Sequence, residues 1–231
     1  TRNTKSYYRL MTESINKYKS QTVILIPVKA PNIAKSRMLK SINRSLTQKL
    51  VEAMLEDVLN VASTIDSVKV VVIAPDHAYQ KIISDYDIDL FIDSGSGYNE
   101  CISEFISKNI LDNKTKLLII PADQPRISII EINKIIEMMN KKQVVQVIAE
   151  DGGTGALGLN PFDIMPTLFG EHSSHLHREY SKKNGLSFYE FKNSSLSYDI
   201  DQFDDLELEN KHPVGKKTQL VIDEIMHYNK D

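Results

Sequence analysis

The sequence predicts an α/β fold, a three-layer arrangement with helices on both faces of a central, mostly parallel sheet. Three observations predict it. Short apolar, β-branched runs recur along the chain, segments with helical spacing lie between them, and residues suited to ligands cluster just after the runs. Strands alternating with helices imply right-handed βαβ crossovers.

The elements follow in order. Residues 22–28, TVILIPV, form a continuous apolar run of the kind that is buried on both faces of a sheet. A polar loop, KAPNIAKSRMLKSINR, separates it from SLTQKLVEAMLEDVLNVAST, where Leu50, Val51, Met54, Leu55, Val58, Leu59 and Ala62 recur at helical spacing. Ser45 with Gln48 reads as a capping box for that helix. VKVVVIA is the second strand, with a helix expected over residues 76–84, and DLFI is the third. YNECISEFISKNI reads as a helix, KLLII as the fourth strand, SIIEINKIIEMMN as a helix and QVVQVIA as the fifth strand. Beyond Asn160 the spacing predicts a helix near residues 173–183, a strand in LSFYEF and a helix near residues 216–228. EDGGTGALGLN, after the fifth strand, shows no clear period at its start and reads as a glycine-rich loop, either a hairpin turn or a ligand seat.

Composition sets the bounds. The 231 residues suffice for one substantial domain. Residues 1–20 read as a polar N-terminal extension and 21–231 as a single domain. The formal net charge of −3 does not suggest a nucleic-acid partner. A single cysteine, Cys101, leaves no intrachain disulfide framework and no cysteine-based zinc site, in keeping with a reducing compartment. The apolar runs are far shorter than the roughly 20 residues that span a bilayer, and residues 1–20 carry no signal-peptide pattern, so the cytoplasm is the expected setting.

In open α/β sheets, ligands bind beyond the carboxyl ends of the strands. After the first strand come Pro27, Lys29, Lys35 and Arg37, and after the third come Gly95, Gly97 and Asn99. After the fourth comes Asp123 within PADQP, and after the fifth the EDGGTG run with Thr154. Asp123 reads as a Mg²⁺ ligand or as a helix cap. Asp199 and Asp201, alternating in SYDID, read as further metal ligands or as an acidic turn before a helix with Asp201 as its cap. The cations of KAPNIAKSRML suit a triphosphate or a solvated surface. No Walker A motif and no GxGxxG fingerprint is present. The hydroxyl of Thr154, expected to be exposed, would seat a phosphate or carboxylate. His172, His175 and His177 lack the pattern of a zinc site, and Ser173 shares a helical face with His177. No nucleophile elbow is found, as expected where the substrate brings its own nucleophile.

These segments, in this order, resemble the 2-phospho-L-lactate guanylyltransferase family, CofC, which makes the guanylated precursor of coenzyme F-420. The resemblance runs from IPVK and KSRML through GYN, PADQP and DGGTGAL to FG, Ser173, His177 and DID, over residues 22–206. It implies a Rossmann-like nucleotidyltransferase fold of the GT-A type. It further implies attack of a phospho-acid on GTP with loss of pyrophosphate. On this resemblance Asp123, Asp199 and Asp201 hold Mg²⁺. Lys35, Arg37 and Asp123 are catalytic. Pro27, Lys29, Gly97 and Asn99 bind the nucleotide, and Thr154, Gly170, Ser173 and His177 bind the acceptor. The sequence departs from the family pattern at Gln124, Gly155, Ser174 and Gln202–Phe203; Gly155 and Ser174 fall by the expected acceptor seat, which leaves the acceptor open among phospholactate, phosphoenolpyruvate and 3-phosphoglycerate. A sugar-phosphate nucleotidyltransferase or glycosyltransferase is the alternative on the same fold, and a non-catalytic binding protein a further one. The expected partners are GTP and the phospho-acid, with no nucleic acid and no membrane; homodimerisation is left open.

Overall fold

The computed structural model describes residues 21–30, 34–95, 97–109, 111–192, 195–209 and 213–228. The reading of residues 1–20 lies outside them. Seven strands form one sheet in the order β3-β2-β1-β4-β6-β5-β7. They are β1 (Thr22–Pro27), β2 (Val68–Ala74), β3 (Asp89–Ile92), β4 (Lys116–Ile119), β5 (Val144–Ile148), β6 (Thr154–Leu159) and β7 (Phe188–Phe191). β1, β2, β3 and β4 pair in parallel, as do β5 and β7; only β6 runs against its neighbours, β4 and β5.

The helices are α1 (Arg44–Ala62), α2 (Gln80–Ile83), α3 (Tyr98–Lys108), α4 (Ile129–Met139), α5 (Ser173–Lys183), α6 (Phe203–Glu209) and α7 (Lys216–Tyr228). Strand alternation splits the core into two layers. Ile24 and Ile26 of β1 face one way, where Leu50, Met54, Ile132 and Ile222 cover them. Val23 and Leu25 face the other, against Ile102 and Phe105. The mostly parallel, helix-covered sheet expected from the sequence is the one observed.

Four local expectations are corrected. The helix expected over residues 76–84 contracts to Gln80–Ile83, because Asp76 accepts from the Ala78 N–H at 2.8 Å and turns the chain first. α1 is capped by Asn43, whose side chain accepts from the Leu46 N–H, and not by a Ser45–Gln48 box. EDGGTGALGLN is a hairpin turn followed by a strand, since residues from Thr154 onward form the fully buried β6. Its glycines hide the strand: a β-carbon at Gly155 would sit 1.7 Å from the Leu196 carbonyl oxygen, and one at Gly158 would sit 2.7 Å from the Met139 sulfur. The acidic turn leads into α6, but the Asp201 carboxylate turns to Lys35, and Asp205 in the first turn of the helix reaches back to accept from the N–H groups of both Asp201 and Gln202 at 2.8 Å.

α7 is fastened from outside itself. Asp57 of α1, almost fully buried, accepts from the Lys217 N–H at 3.2 Å and the Thr218 N–H at 2.8 Å. The carboxylate thus satisfies two of the orphan donors of the α7 N-terminus. Gly215 leaves the room for it, since a β-carbon there would lie 2.0 Å from the Asp57 carboxyl carbon. Asp57→Ala is expected to lower stability by about 1–3 kcal/mol in urea unfolding, and Asp57→Asn by less. An unchanged midpoint in both would show that α7 is held by its apolar face alone.

Candidate active site

The loop after β1 returns through Ala34 and Lys35 into a 3-10 turn at Met38–Lys40, whose Met38 is fully buried. That anchor holds Lys35 in the left-handed region, φ 51°, an uncommon conformation for a non-glycine residue and one that clusters at functional sites. The Lys35 side chain is only 8% exposed. Its Nζ lies 2.6 Å from Asp123 Oδ2 and 2.5 Å from Asp201 Oδ1. Arg37, largely in solvent, reaches the other Asp201 oxygen at 3.7 Å.

Asp199 completes the group: one carboxylate oxygen each of Asp123, Asp199 and Asp201 lies within 4.8 Å of the others. Burial alone would depress the Lys35 pKa, but the charges of Asp123 and Asp201 raise it above its ordinary value. Burial would raise Asp201, yet Lys35, with help from Arg37 and Lys29, lowers it. For Asp199 the Lys35 charge is outweighed: burial first, then Asp123 and Asp201, push it up to about 7. Three hard oxygen donors in this spacing fit a small divalent cation, which would relieve the repulsion. Among the described residues, His172, His175 and His177 form no comparable group.

A residue noted in the sequence only as a departure from the family pattern ties the segments that carry the acids together. Gln124, next to Asp123, is 2% exposed. With its amide nitrogen turned inward it donates to the Leu196 and Tyr198 carbonyls, each at 3.2 Å. The Glu150 N–H donates to the Ser197 carbonyl at 3.0 Å, and the Arg126 guanidinium lies 4.3 Å from the Tyr198 ring centroid. Gly155 meets the same 3-10 turn, Ser195–Ser197, from below. The segment that delivers Asp199 and Asp201 is therefore docked against the Asp123 loop and the β5–β6 hairpin. The available signal was an amide beside the acid in the proline-flanked PADQP.

Two cavities share Pro27, Val28, Lys29 and Tyr98 as walls. One, of about 160 Å³, also meets Lys35, Asp123 and Asp201. The other, of about 180 Å³ and mostly apolar, meets Asp93, Gly95 and Gly97. Tyr79, fully buried, donates to the Lys29 carbonyl at 2.7 Å and fixes that edge. A third, polar space of about 460 Å³ opens beyond Asp199 between Arg37, Arg126 and Asp151. The structure thus gathers Pro27, Lys29, Lys35, Asp123, Asp201 and Gly97 around two cavities with a common wall. Asn99 is not on either shared-wall cavity. Its side chain donates to the Phe169 carbonyl and accepts from the Phe169 N–H, both at 2.9 Å, and so ties α3 to the loop before α5.

Thr154 is a correction as well. Its hydroxyl is not exposed but turned inward, 2.9 Å from Ser173 Oγ and 3.1 Å from His177 Nδ1. The Leu168 N–H donates to His177 Nε2 at 3.0 Å. Nε2 is thus the acceptor, and Nδ1 carries the proton toward Thr154. Burial pushes His177 down to about 4, which keeps the ring neutral. Gly170, φ 134°, stands exposed beside this network, and its carbonyl accepts from the Ser173 N–H at 3.2 Å.

A reversed strand in a parallel sheet, with an acid trio and a buried lysine at its carboxyl edge, defines a nucleotidyltransferase-like α/β protein. CMP:2-keto-3-deoxy-manno-octonic acid synthetase, in complex with CTP, shares the fold with a TM-score of 0.59 at 12% identity, covering 83% of this chain and 97% of that one. A protein described as a nucleotide-diphospho-sugar transferase, from Desulfovibrio desulfuricans, gives a TM-score of 0.73 at 15% identity, over 90% of this chain and 97% of that one. Residues 22–226 match the family described as "Guanylyl transferase CofC like", and the chain belongs to that family. Its relatives include a phosphoenolpyruvate guanylyltransferase of Thermobaculum terrenum, 28% identical over 79% of this chain and 80% of that one. A 3-phospho-D-glycerate guanylyltransferase of Colwellia psychrerythraea is 25% identical over 81% and 90% of the two chains. A 2-phospho-L-lactate guanylyltransferase of Methanothermobacter thermautotrophicus is 27% identical over 80% and 82%.

Two measurements probe the site's construction. Gln124→Leu removes both bonds to the docked segment and is expected to cost roughly 1–3 kcal/mol and to weaken divalent-cation binding. Gln124→Glu should be worse, because it sets a carboxylate against two carbonyls. Wild-type melting and cation affinity in both variants would exclude the clamp. His177 sits below its unfolded value of 6.5, so the unfolded chain takes up the proton first as pH falls. Its contribution is full above about 6.5 and lost toward about 4, up to roughly 3 kcal/mol. Asp199, raised from 3.8 to about 7, acts in the opposite sense, because stability falls as pH rises through that window. The difference in stability between wild type and His177→Gln should therefore shrink between pH 6.5 and 4.5, and a constant difference would refute a buried neutral imidazole.

Proposed function

We propose that this chain transfers a guanylyl group from GTP to a small phospho-acid, 2-phospho-L-lactate or phosphoenolpyruvate, with release of pyrophosphate. The observation that carries the reading is the Lys35-centred cluster of Asp123, Asp199 and Asp201 beside two cavities with a common wall. On this reading residues 21–231 act as one catalytic domain.

The acceptor supplies the nucleophile, a phosphate oxygen already ionised near neutral pH. It forms a bond to the α-phosphorus while the bond from that phosphorus to the bridging oxygen of the β-phosphate breaks, and pyrophosphate carries away the electron pair. No side chain need remove a proton. What the chain contributes is position and charge. Lys35, held within reach of Asp123 and Asp201, places a fixed positive charge beside the reacting phosphate. Lys29 and Arg37 lie on the same rim, Lys29 as a point charge and Arg37 as a planar fork for phosphate oxygens. Asp123, Asp199 and Asp201 would hold Mg²⁺, which when bound supplies positive charge to the α-phosphate and the leaving pyrophosphate.

Pro27, Lys29 and Gly97 line the space assigned to the nucleotide, and Asn99 serves it by fixing the neighbouring loop. For the acceptor, the exposed backbone at Gly170 and the first turn of α5 offer the contacts. Thr154, Ser173 and His177 hold that backbone in place from within.

Pyrophosphate release with GTP and Mg²⁺, measured against 2-phospho-L-lactate, phosphoenolpyruvate and 3-phosphoglycerate, tests the reading. Release is expected with at least one acceptor and should fall about 10²-fold or more in Asp123→Ala. No release with any acceptor would overturn it.

A further inference from the structure

The more apolar of the two cavities with a common wall contains one acid. Asp93 ends β3, its N–H donating to the Ala74 carbonyl at 3.0 Å, and its Oδ1 accepts from the Gly95 N–H at 2.9 Å. These two bonds fix its position on the cavity wall. Pro27, Val28, Pro75 and Tyr98 give the cavity its apolar walls, suited to a flat ring. Gly95 and Gly97, at φ 73° and 142°, keep side chains away from that side. A β-carbon at Gly97 would in fact lie 2.3 Å from the Glu100 carboxylate. Cys101, also on the wall, does not compete as a base: burial first, and Asp93 beside it second, push its thiol up to about 12.

We infer that Asp93 selects guanine in this cavity, its carboxylate accepting from the ring N1–H and the 2-amino group. The inference rests on the nucleotide-transfer reading above, which places the phosphates beside Lys35 and leaves the adjoining cavity for the base. The chemistry discriminates among bases. An ionised carboxylate only accepts hydrogen bonds. Guanine alone presents two adjacent donors on its pairing edge. Adenine and cytosine set an amino donor beside a ring-nitrogen acceptor, and uracil flanks its single N–H with two carbonyls, so each turns a lone pair toward the carboxylate. A site built to accept from a substrate N–H rejects analogues that lack it, because its own polar group is then left unpaired.

The test is nucleotide binding without any acceptor, by calorimetry with Mg²⁺ and GTP, ITP, XTP or ATP. Wild type should bind GTP about 10-fold more tightly than ITP, which lacks the 2-amino group, and about 100-fold more tightly than ATP. In Asp93→Asn, GTP affinity should fall about 10- to 100-fold while XTP binding improves, because the new amide N–H₂ can donate to the carbonyl at position 2 of xanthine. Equal wild-type affinities for GTP and ITP would overturn the inference, and that comparison needs no variant. So would an Asp93→Asn protein of unchanged melting temperature and unchanged GTP-to-XTP ratio; in either case the transfer reading would stand. If wild type binds none of the nucleotides, the transfer reading fails and this inference fails with it.

Discussion

The site depends on one buried ammonium group. Three carboxylates crowd the edge of the sheet, and without a cation their mutual repulsion and desolvation would push them apart or neutralise them. Lys35 bonds to two of them, and the consequence is visible in the third: Asp201 is held ionised, while at Asp199 burial and the like-charged neighbours outweigh the more distant Lys35 and raise it toward neutrality. The protein therefore keeps a carboxylate cluster preassembled, with one member ready to ionise when more positive charge arrives. The strained backbone of Lys35 belongs to the same device, because a relaxed loop would not turn that side chain inward.

The carboxylates come from distant parts of the chain, and their convergence is a packing problem. Asp123 is delivered by β4, a central strand whose position is set by pairing with β1. Asp199 and Asp201 follow a short turn with little regular structure of its own. Gln124 and Glu150 hold that turn by its carbonyls, and Gly155 leaves the room for one of them to approach, so hydrogen bonds to the backbone fix the far half of the site. Two hydrogen bonds from one buried amide make the 123–126 loop and the 196–198 segment move together. A site that must keep acids at a few ångströms needs that kind of rigid coupling.

The alternation of strands and helices was legible because each strand of the parallel part is buried on both faces and each covering helix keeps one apolar stripe. Lys35, Asp123, Asp199 and Asp201 were legible because charged residues after buried strands must be paired or bound to something. β6 was not. Gly155 and Gly158 erase its apolar pattern, and the reason for them, a carbonyl from residue 196 and a thioether from residue 139, lies far off in the chain. The inward bonds of Thr154 and Asn99 were not legible for a related cause. A polar side chain in a glycine-rich stretch suggests a ligand, but here Ser173 and His177 take up one and the Phe169 backbone the other. Asp93 escaped notice because an Asp before Ser-Gly is an ordinary turn former, and only the cavity gives it another part.

The reversed strand explains how one edge can serve two substrates. In a fully parallel sheet only carboxyl ends reach the ligand edge. Because β6 runs backward between β4 and β5, its amino end reaches that edge instead, bringing the β5–β6 turn and Thr154 beside α5. The β1–β3 half then supplies the more apolar cavity, and the β4–β7 half supplies the acids and the α5 loop. The acids lie at the seam, where Asp123 from β4 meets Lys35 from the loop after β1. A transfer reaction between two anions needs its positive charge at such a seam, and the Lys35 cluster borders the cavity beside β1 on one side and the polar space beyond Asp199 on the other.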